Sequence, residues 1–208
     1  MSNVKVIGLC GRSGSGKGFV CEAFLRFGIP SVDTDKVYRE IISEKDSPCL
    51  KELSEEFGSE ILNGEGALDR RALAKIVFAS GAEKKLQKLN GITHKYILEK
   101  TLSIIEKHEK DGKRAVVVDA PVLFESSFDK ICHITVCVTA PDEVCVQRIC
   151  RRDNISEEDA TARLSKQIGN CELLSRCGFS ILNDGVSDVT SQVGKLLNEC
   201  GIGGIDEE

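Results

Sequence analysis

No tryptophan and only two tyrosines occur among 208 residues, and Asp and Glu outnumber Lys and Arg 33 to 28, for a formal net charge of −5. A basic, aromatic nucleic-acid surface therefore lacks its materials. Long apolar runs are missing too: none approaches the ~18 residues of a membrane span. The first such run, residues 4–9, is too short for the h-region of a secretion signal. The ten cysteines include no CxxC pair, the closest being Cys132/Cys137, Cys145/Cys150 and Cys171/Cys177. That spacing argues against a metal site or structural disulfide, and for small buried hydrophobes in a reducing compartment. The expectation is a cytoplasmic protein that binds neither nucleic acid nor membrane, with no obligatory protein partner evident.

What the chain does contain is one sharply defined motif. Gly11-Arg12-Ser13-Gly14-Ser15-Gly16-Lys17 directly follows the apolar run, and Phe19-Val20-Cys21-Glu22-Ala23-Phe24-Leu25 resumes at helical spacing. Strand, glycine-rich loop and helix in this order make a phosphate-binding loop. The glycines let successive N–H groups turn around a polyphosphate, the helix offers its positive N-terminus, and Lys17 reaches the β and γ phosphates. A dinucleotide-binding GxGxxG register fails, because Phe19 stands where its third glycine would fall. After the Lys, such loops carry a Ser or Thr whose hydroxyl ligates Mg²⁺, and this chain has Gly18. Magnesium must then be held through water or by a nearby carboxylate, or it is held poorly.

Apolar continuity predicts strands over residues 4–9, 29–32, 115–118, 131–138 and 179–182. Helices are expected over 16–27, 34–43, 142–152, 157–169 and 186–200. From residue 43 to about 110 the pattern stays helical, with Asp69 as an N-cap, and residues 201–208 are expected to fray. The fold class is α/β: one domain with a parallel five-stranded sheet, flanking helices and a helical insertion.

Ligands of such sheets sit at the carboxyl ends of the strands. Asp33 and Asp35 follow the second strand and Asp119 ends the third. A carboxylate there can accept the proton of an attacking hydroxyl or bind Mg²⁺, whereas Asp33 is equally suited to cap the helix that begins at Thr34. Arg148 and Arg152 lie four apart on one helix face, with Arg151 adjacent and Arg163 on the next helix. Paired guanidinium groups suit a phosphoryl group in flight, and a hinged helix pair bearing them would act as a lid; the alternative is a solvated basic face.

Further along, the sequence shows Gly8-Leu9-x-Gly11 before the loop, Asp33-Thr34-Asp35, Leu68-Asp69-Arg70-Arg71-Ala72-Leu73 with Val77-Phe78, and Leu89-Asn90 with His94. It continues with Asp119-Ala120-Pro121-Val122-Leu123-Phe124-Glu125, Gln147-Arg148, Arg152-Asp153, and Ile181 with Asn183 and Gly185. In this order and spacing the set resembles the dephospho-coenzyme A kinase family over nearly the whole chain. The resemblance implies a P-loop kinase fold, with a core at about 1–35, 113–147 and 168–200, a helical coenzyme-binding lobe at about 36–112 and a lid at about 148–167. It implies transfer of the γ-phosphate of ATP, with Mg²⁺, to the ribose 3′-hydroxyl of dephospho-coenzyme A, the last step of coenzyme A biosynthesis.

Residue by residue, the resemblance makes Asp35 the catalytic base, Lys17 the phosphate clamp and Arg148 a lid arginine at the phosphates. Arg12, Ser13, Gly14, Ser15, Gly16, Lys17, Gly18, Arg148 and Asn183 fall to ATP. Asp35, Arg71, Asn90, His94, Leu123 and Glu125 fall to the coenzyme, and Asp35 and Asp119 to the metal. Asn90 and His94 are i, i+4 neighbours on one helix face, as a shared site needs. The chain departs from the family pattern at Gly18 and at Cys10, where Thr is usual. Two alternatives stand beside this reading: another small-molecule or nucleotide kinase of the same fold, and an ATP-binding homologue with weakened catalysis, which Gly18 alone supports.

Overall fold

Segments that are β-branched and apolar on both faces suit a sheet covered on both sides. Five strands form, β1 (Lys5–Cys10), β2 (Ser31–Asp33), β3 (Ala115–Asp119), β4 (Ile134–Thr139) and β5 (Phe179–Leu182); β1, β3 and β4 have this character, whereas β2 and β5 are partly exposed. In this computed structural model, which describes residues 4–45 and 47–203, the strands are hydrogen-bonded in the order β2-β3-β1-β4-β5. β1 runs parallel to β3 and β4, and β4 to β5, with Leu9 opposite Asp119 and Cys10 opposite Cys137. The order reverses at β1, so the crevice at its carboxyl end is where such a sheet receives a ligand.

Nine helices among the described residues complete the fold: α1 (Lys17–Arg26), α2 (Thr34–Ser43), α3 (Pro48–Phe57), α4 (Arg70–Val77), α5 (Glu83–Lys110), α6 (Asp142–Asp153), α7 (Glu157–Ser165), α8 (Asn170–Arg176) and α9 (Val189–Glu199). The chain divides into two units, residues 4–32 with 105–203, and residues 33–104. In the first unit, Ile7, Leu9 and Val136 of the sheet pack with Val20 and Phe24 of α1 and Val193 of α9. Truncating one of these large side chains, Phe24→Ala for instance, carries a cost of about 3–5 kcal/mol. On the other face α8 packs on β4. α6 and α7 have a small core of their own around Ile149, Ala160 and Leu164.

The second unit is built from caps and a buried stripe. Asp33 caps α2 by accepting from Lys36 N, Ser47 caps α3 by accepting from Leu50 N, and Asp69 caps α4 by accepting from Arg71 N and Ala72 N. Leu53, Phe57, Ile61, Leu73 and Val77 are buried. Lys95 and Tyr96 of α5 donate to Glu52 of α3, which fixes the two helices in register. Exposed pairs of this kind contribute little to stability, so the apolar stripe carries it.

Four segments depart from the expected elements, each for a local reason. The helix expected over 157–169 stops at Ser165, where Lys166 is the C-cap and the Gln167 N–H closes a tight turn on the Leu164 carbonyl, and the chain restarts as α8 with extended Gly169 (φ −70, ψ 158) as its N-cap. β4 starts at Ile134, since Phe128–Ile131 folds as a 3₁₀ turn. α9 starts at Val189, because Asp184 takes the N–H groups of Val186 and Ser187 and Asp188 is the cap. Within the stretch expected to be helical, Leu62 and Leu68 form an antiparallel bridge around a turn in which Asn63 accepts from Glu65 N and Ala67 N. The expected fraying of 201–208 falls mainly on residues 204–208, which lie outside the described residues.

Candidate active site

β1 delivers the chain into the glycine-rich loop and α1 carries it away. Gly16 is the N-cap of α1 and is left-handed (φ 85, ψ 38), as is Gly14 (φ 79). A Cβ on Gly14 would run into the backbone of Cys145, and one on Gly16 into the Asn183 side chain, so both space and backbone angle demand glycine. The first helical N–H groups, those of Lys17 and Gly18, have no intrahelical acceptor and lie at the positive end of α1.

Two side chains hold the loop from behind. Arg148 of α6 donates through Nη1 to the carbonyls of Gly14 (3.2 Å), Ser15 (3.3 Å) and Asn183 (2.9 Å). Asn183, just past β5 and only 5% exposed, donates through Nδ2 to the Ser15 carbonyl at 2.8 Å. A trans peptide points its C=O and N–H in opposite directions, so anchoring the Ser15 carbonyl turns the Gly16 N–H the other way. Arg148, expected as a lid arginine at the phosphates, stands at the phosphate loop and donates to its backbone.

Lys17 Nζ stands 3.9 Å from Asp119 Oδ1, and the two side chains are 15% and 17% exposed. Asp119 ends β3 beside Leu9 of β1, which is how an acidic group reaches the loop's lysine. Among the described residues no group of three or more His, Cys, Asp or Glu comes together as a metal cage.

The tip of the loop is tied to the α6–α7 hairpin. Arg12 donates to Asp142 Oδ1 and to the Leu164 carbonyl, and the Ser13 N–H donates to Gln167 Oε1 at 2.8 Å. Arg152 reaches Ser13 Oγ at 3.3 Å. Asp153 collects Arg152 and Arg163; the Arg152 hydrogen bond first, and then the charges of Arg152 and Arg163, hold its carboxyl down to about 2. Asp142 and Gln167 had no recognisable signal in sequence, being polar residues on or beside solvated helices.

A cleft of about 360 Å³ opens beside the loop, lined by Gly16, Phe19, Arg148, Asn183, Gly185 and Ser187. Phe19, at 51% exposure, is a large aromatic outside the core. Its signal was legible, since it falls off the buried stripe of Val20, Ala23 and Phe24 on α1.

The remaining expected residues are placed as follows. Asp35 is exposed in the first turn of α2, where its carbonyl accepts from Arg39 Nε, while Asp33 serves as the cap. Arg71 on α4 and Asn90 on α5 are exposed, and His94 is half-buried, with burial pushing its pKa down. Burial pushes the Tyr38 phenol up, with the charge of Arg70 pulling the other way. Glu125 is exposed, whereas Leu123 is fully buried, its methyls 3.1 Å from where a Cβ on Gly8 would stand. The Leu123 side chain is thus core. The loop, Asp119, Arg148, Asn183, Leu123 and Glu125 belong to the first unit, and Asp35, Arg71, Asn90 and His94 to the second.

The sequence profile of the family described as dephospho-CoA kinase matches residues 5–188. A dephospho-CoA kinase of Bacillus anthracis is 36% identical over 198 residues, 95% of this chain and 98% of that one. The solved dephospho-CoA kinase from Campylobacter jejuni is similar with a TM-score of 0.64 at 28% identity, over 94% of this chain and 96% of that one. TT1252 from Thermus thermophilus is similar with a TM-score of 0.79 at 27% identity, over 97% and 100%. The chain belongs to the dephospho-CoA kinase family.

Proposed function

We propose that the chain transfers the γ-phosphoryl group of ATP to the ribose 3′-hydroxyl of dephospho-coenzyme A, giving ADP and coenzyme A in the cytoplasm. The observation that carries this reading is the braced phosphate loop, with Lys17 held beside Asp119, in a chain of this family. The N–H groups of Gly16, Lys17 and Gly18 bind phosphate oxygens at the positive end of α1. Lys17, only loosely tied at 3.9 Å, exchanges its carboxylate contact for the β and γ phosphates. The cleft takes the base of ATP between the Phe19 ring and the Arg148 and Asn183 side chains.

Phosphoryl transfer passes through a loose transition state, so positioning and charge neutralisation dominate. Arg148 and Asn183 serve the first of these by fixing the loop. Asp35 accepts the proton of the 3′-hydroxyl, a contribution of about 10²–10⁴-fold. Arg71, Asn90, His94 and Glu125 hold the coenzyme. Asp119 offers Mg²⁺ a hard oxygen beside the loop, which fits a cation that keeps most of its waters; when bound, Mg²⁺ neutralises phosphate charge.

The test is product identity. With ATP, Mg²⁺ and dephospho-coenzyme A, the protein should yield coenzyme A and ADP in equal amounts, and an acceptor lacking the 3′-hydroxyl should stay inert. Phosphate on another position, or ADP without coenzyme A, would refute the reading.

A further inference from the structure

The sheet face that bears α8 holds a cluster of sulfur at the root of the phosphate loop. Cys10 ends β1 immediately before Gly11, and Cys137 is its register partner on β4. Cys177 follows α8 at the entry to β5, and its Sγ lies 3.5 Å from Cys10 Sγ. Cys10 and Cys137 are buried, whereas Cys177 is half-buried between exposed Arg176 and exposed Gly178. Among the described residues, which include all ten cysteines, none is in a disulfide.

From this arrangement we propose that Cys177 is a peroxide-reactive thiol and that Cys10 resolves it as a disulfide, making the root of the phosphate loop an oxidation site. The three positions divide the roles. Of the three, only Cys177 is partly exposed, and Cys10 Sγ, 3.5 Å from Cys177 Sγ, stands where it can resolve it. Hydrogen bonds from Cys10, then Cys137, and further from Thr135, with the Arg176 charge, pull the Cys177 thiol well below its ordinary range, while hydrogen bonds with Cys137 and then Cys177, together with burial, push Cys10 up. Reactive thiols have this character: thiolate, accessible, with a resolving partner adjacent.

The chemistry balances with hydrogen peroxide as oxidant. The Cys177 thiolate attacks one peroxide oxygen, the O–O bond breaks, and with the proton that Cys177 gave up the products are a sulfenic acid and water. Cys10 sulfur then displaces the sulfenic hydroxyl, which leaves as a second water carrying the Cys10 proton. Two thiols lose two electrons and two protons, and the peroxide is reduced to two waters. A dithiol reverses the step by exchange.

Closing the bond shortens the sulfur separation to about 2 Å. The backbone at Gly11 has little freedom to absorb this: a Cβ there would stand 2.5 Å from the Val138 carbonyl and 2.8 Å from Ser15 Oγ. The displacement therefore reaches the loop, and a misplacement of about 1 Å in a positioning element costs up to roughly 10²-fold in rate.

The experiment treats the purified protein with stoichiometric hydrogen peroxide, alkylates the remaining thiols and maps the peptides. The expected result is a Cys10–Cys177 cross-link, a mass lower by two hydrogens, and two of the ten thiols lost. Turnover of ATP with dephospho-coenzyme A should fall about 10- to 100-fold and return with dithiothreitol. Cys177→Ser should keep its untreated turnover and resist the same peroxide dose, whereas Cys171→Ser, which removes an exposed thiol of α8, should respond like the parent. A disulfide joining another pair, peroxidation of Cys177 without a cross-link, or a cross-link with undiminished turnover would overturn the proposal. The peptide map needs neither a variant nor activity, so it decides the chemistry by itself.

Discussion

Replacing Arg148 by Ala removes the donor that three backbone carbonyls share. Nη1 carries two hydrogens, so the contacts at 2.9, 3.2 and 3.3 Å amount to two well-formed bonds, one of them bifurcated. Hydrogen bonds from a charged donor contribute about 1.5–3 kcal/mol each, and water can reach a half-buried site and replace part of that. The Asn183 amide still holds Ser15, so the loop loosens without collapsing. A net loss of about 1.5–3 kcal/mol follows, which is roughly 10- to 150-fold in ATP affinity. Calorimetric titration of ATP measures it, with circular dichroism to show that the fold persists. Arg148→Lys should recover only part, because an ammonium is a point donor and cannot reproduce the planar fork. If Arg148→Ala bound ATP within about threefold of the parent while kcat collapsed, the guanidinium would act on the phosphoryl group in transit, and the bracing argument would fail.

Three further expectations follow from individual residues. Gly18→Ser should lower the Mg²⁺ concentration for half-maximal rate and raise Tm slightly with Mg·ATP bound: nothing lies within 4 Å of a Cβ there, and Ser is a better helix residue than Gly by about 0.5 kcal/mol. An unchanged Mg²⁺ requirement would show that the loop hydroxyl is not what the site lacks. Asp35→Asn should reduce kcat by about 10²–10⁴-fold and leave ATP affinity within a few-fold, whereas Asp33→Ala should mainly cost the α2 cap, about 1 kcal/mol; greater loss of turnover at Asp33 would reverse the two roles. Asp153 has its pKa depressed to about 2 from 3.8, so its hold on Arg152 and Arg163 is complete above about pH 4 and is lost as pH falls toward 2. Titration of that carboxyl by NMR should show a midpoint near 2, and a midpoint near 4 would contradict the Arg152–Asp153–Arg163 geometry.

What was legible in sequence is what short-range chemistry decides. Strand, glycine loop and helix over residues 4–26 follow from apolar runs and left-handed glycines, and the cap at Asp69 follows from side-chain bonds two and three residues along. The brace was only half legible. Arg148 and Asn183 stood out as candidates, but their hold on the loop joins residues 133 and 168 positions away, which no local pattern encodes. Gln167 and Ser13, 154 apart, and Cys10 and Cys177, 167 apart, were invisible for the same reason. The break between α7 and α8 carries no local signal, because it falls at Lys166–Gly169, where no proline or glycine stands until Gly169 caps α8.

The specificity of this phosphate loop for the dephospho-coenzyme A reaction is open to direct measurement. ADP release measured with dephospho-coenzyme A, AMP, CMP and shikimate as competing acceptors tests it most directly. Turnover with dephospho-coenzyme A and background rates with the other three are expected; equal or faster turnover with any of them would refute that specificity.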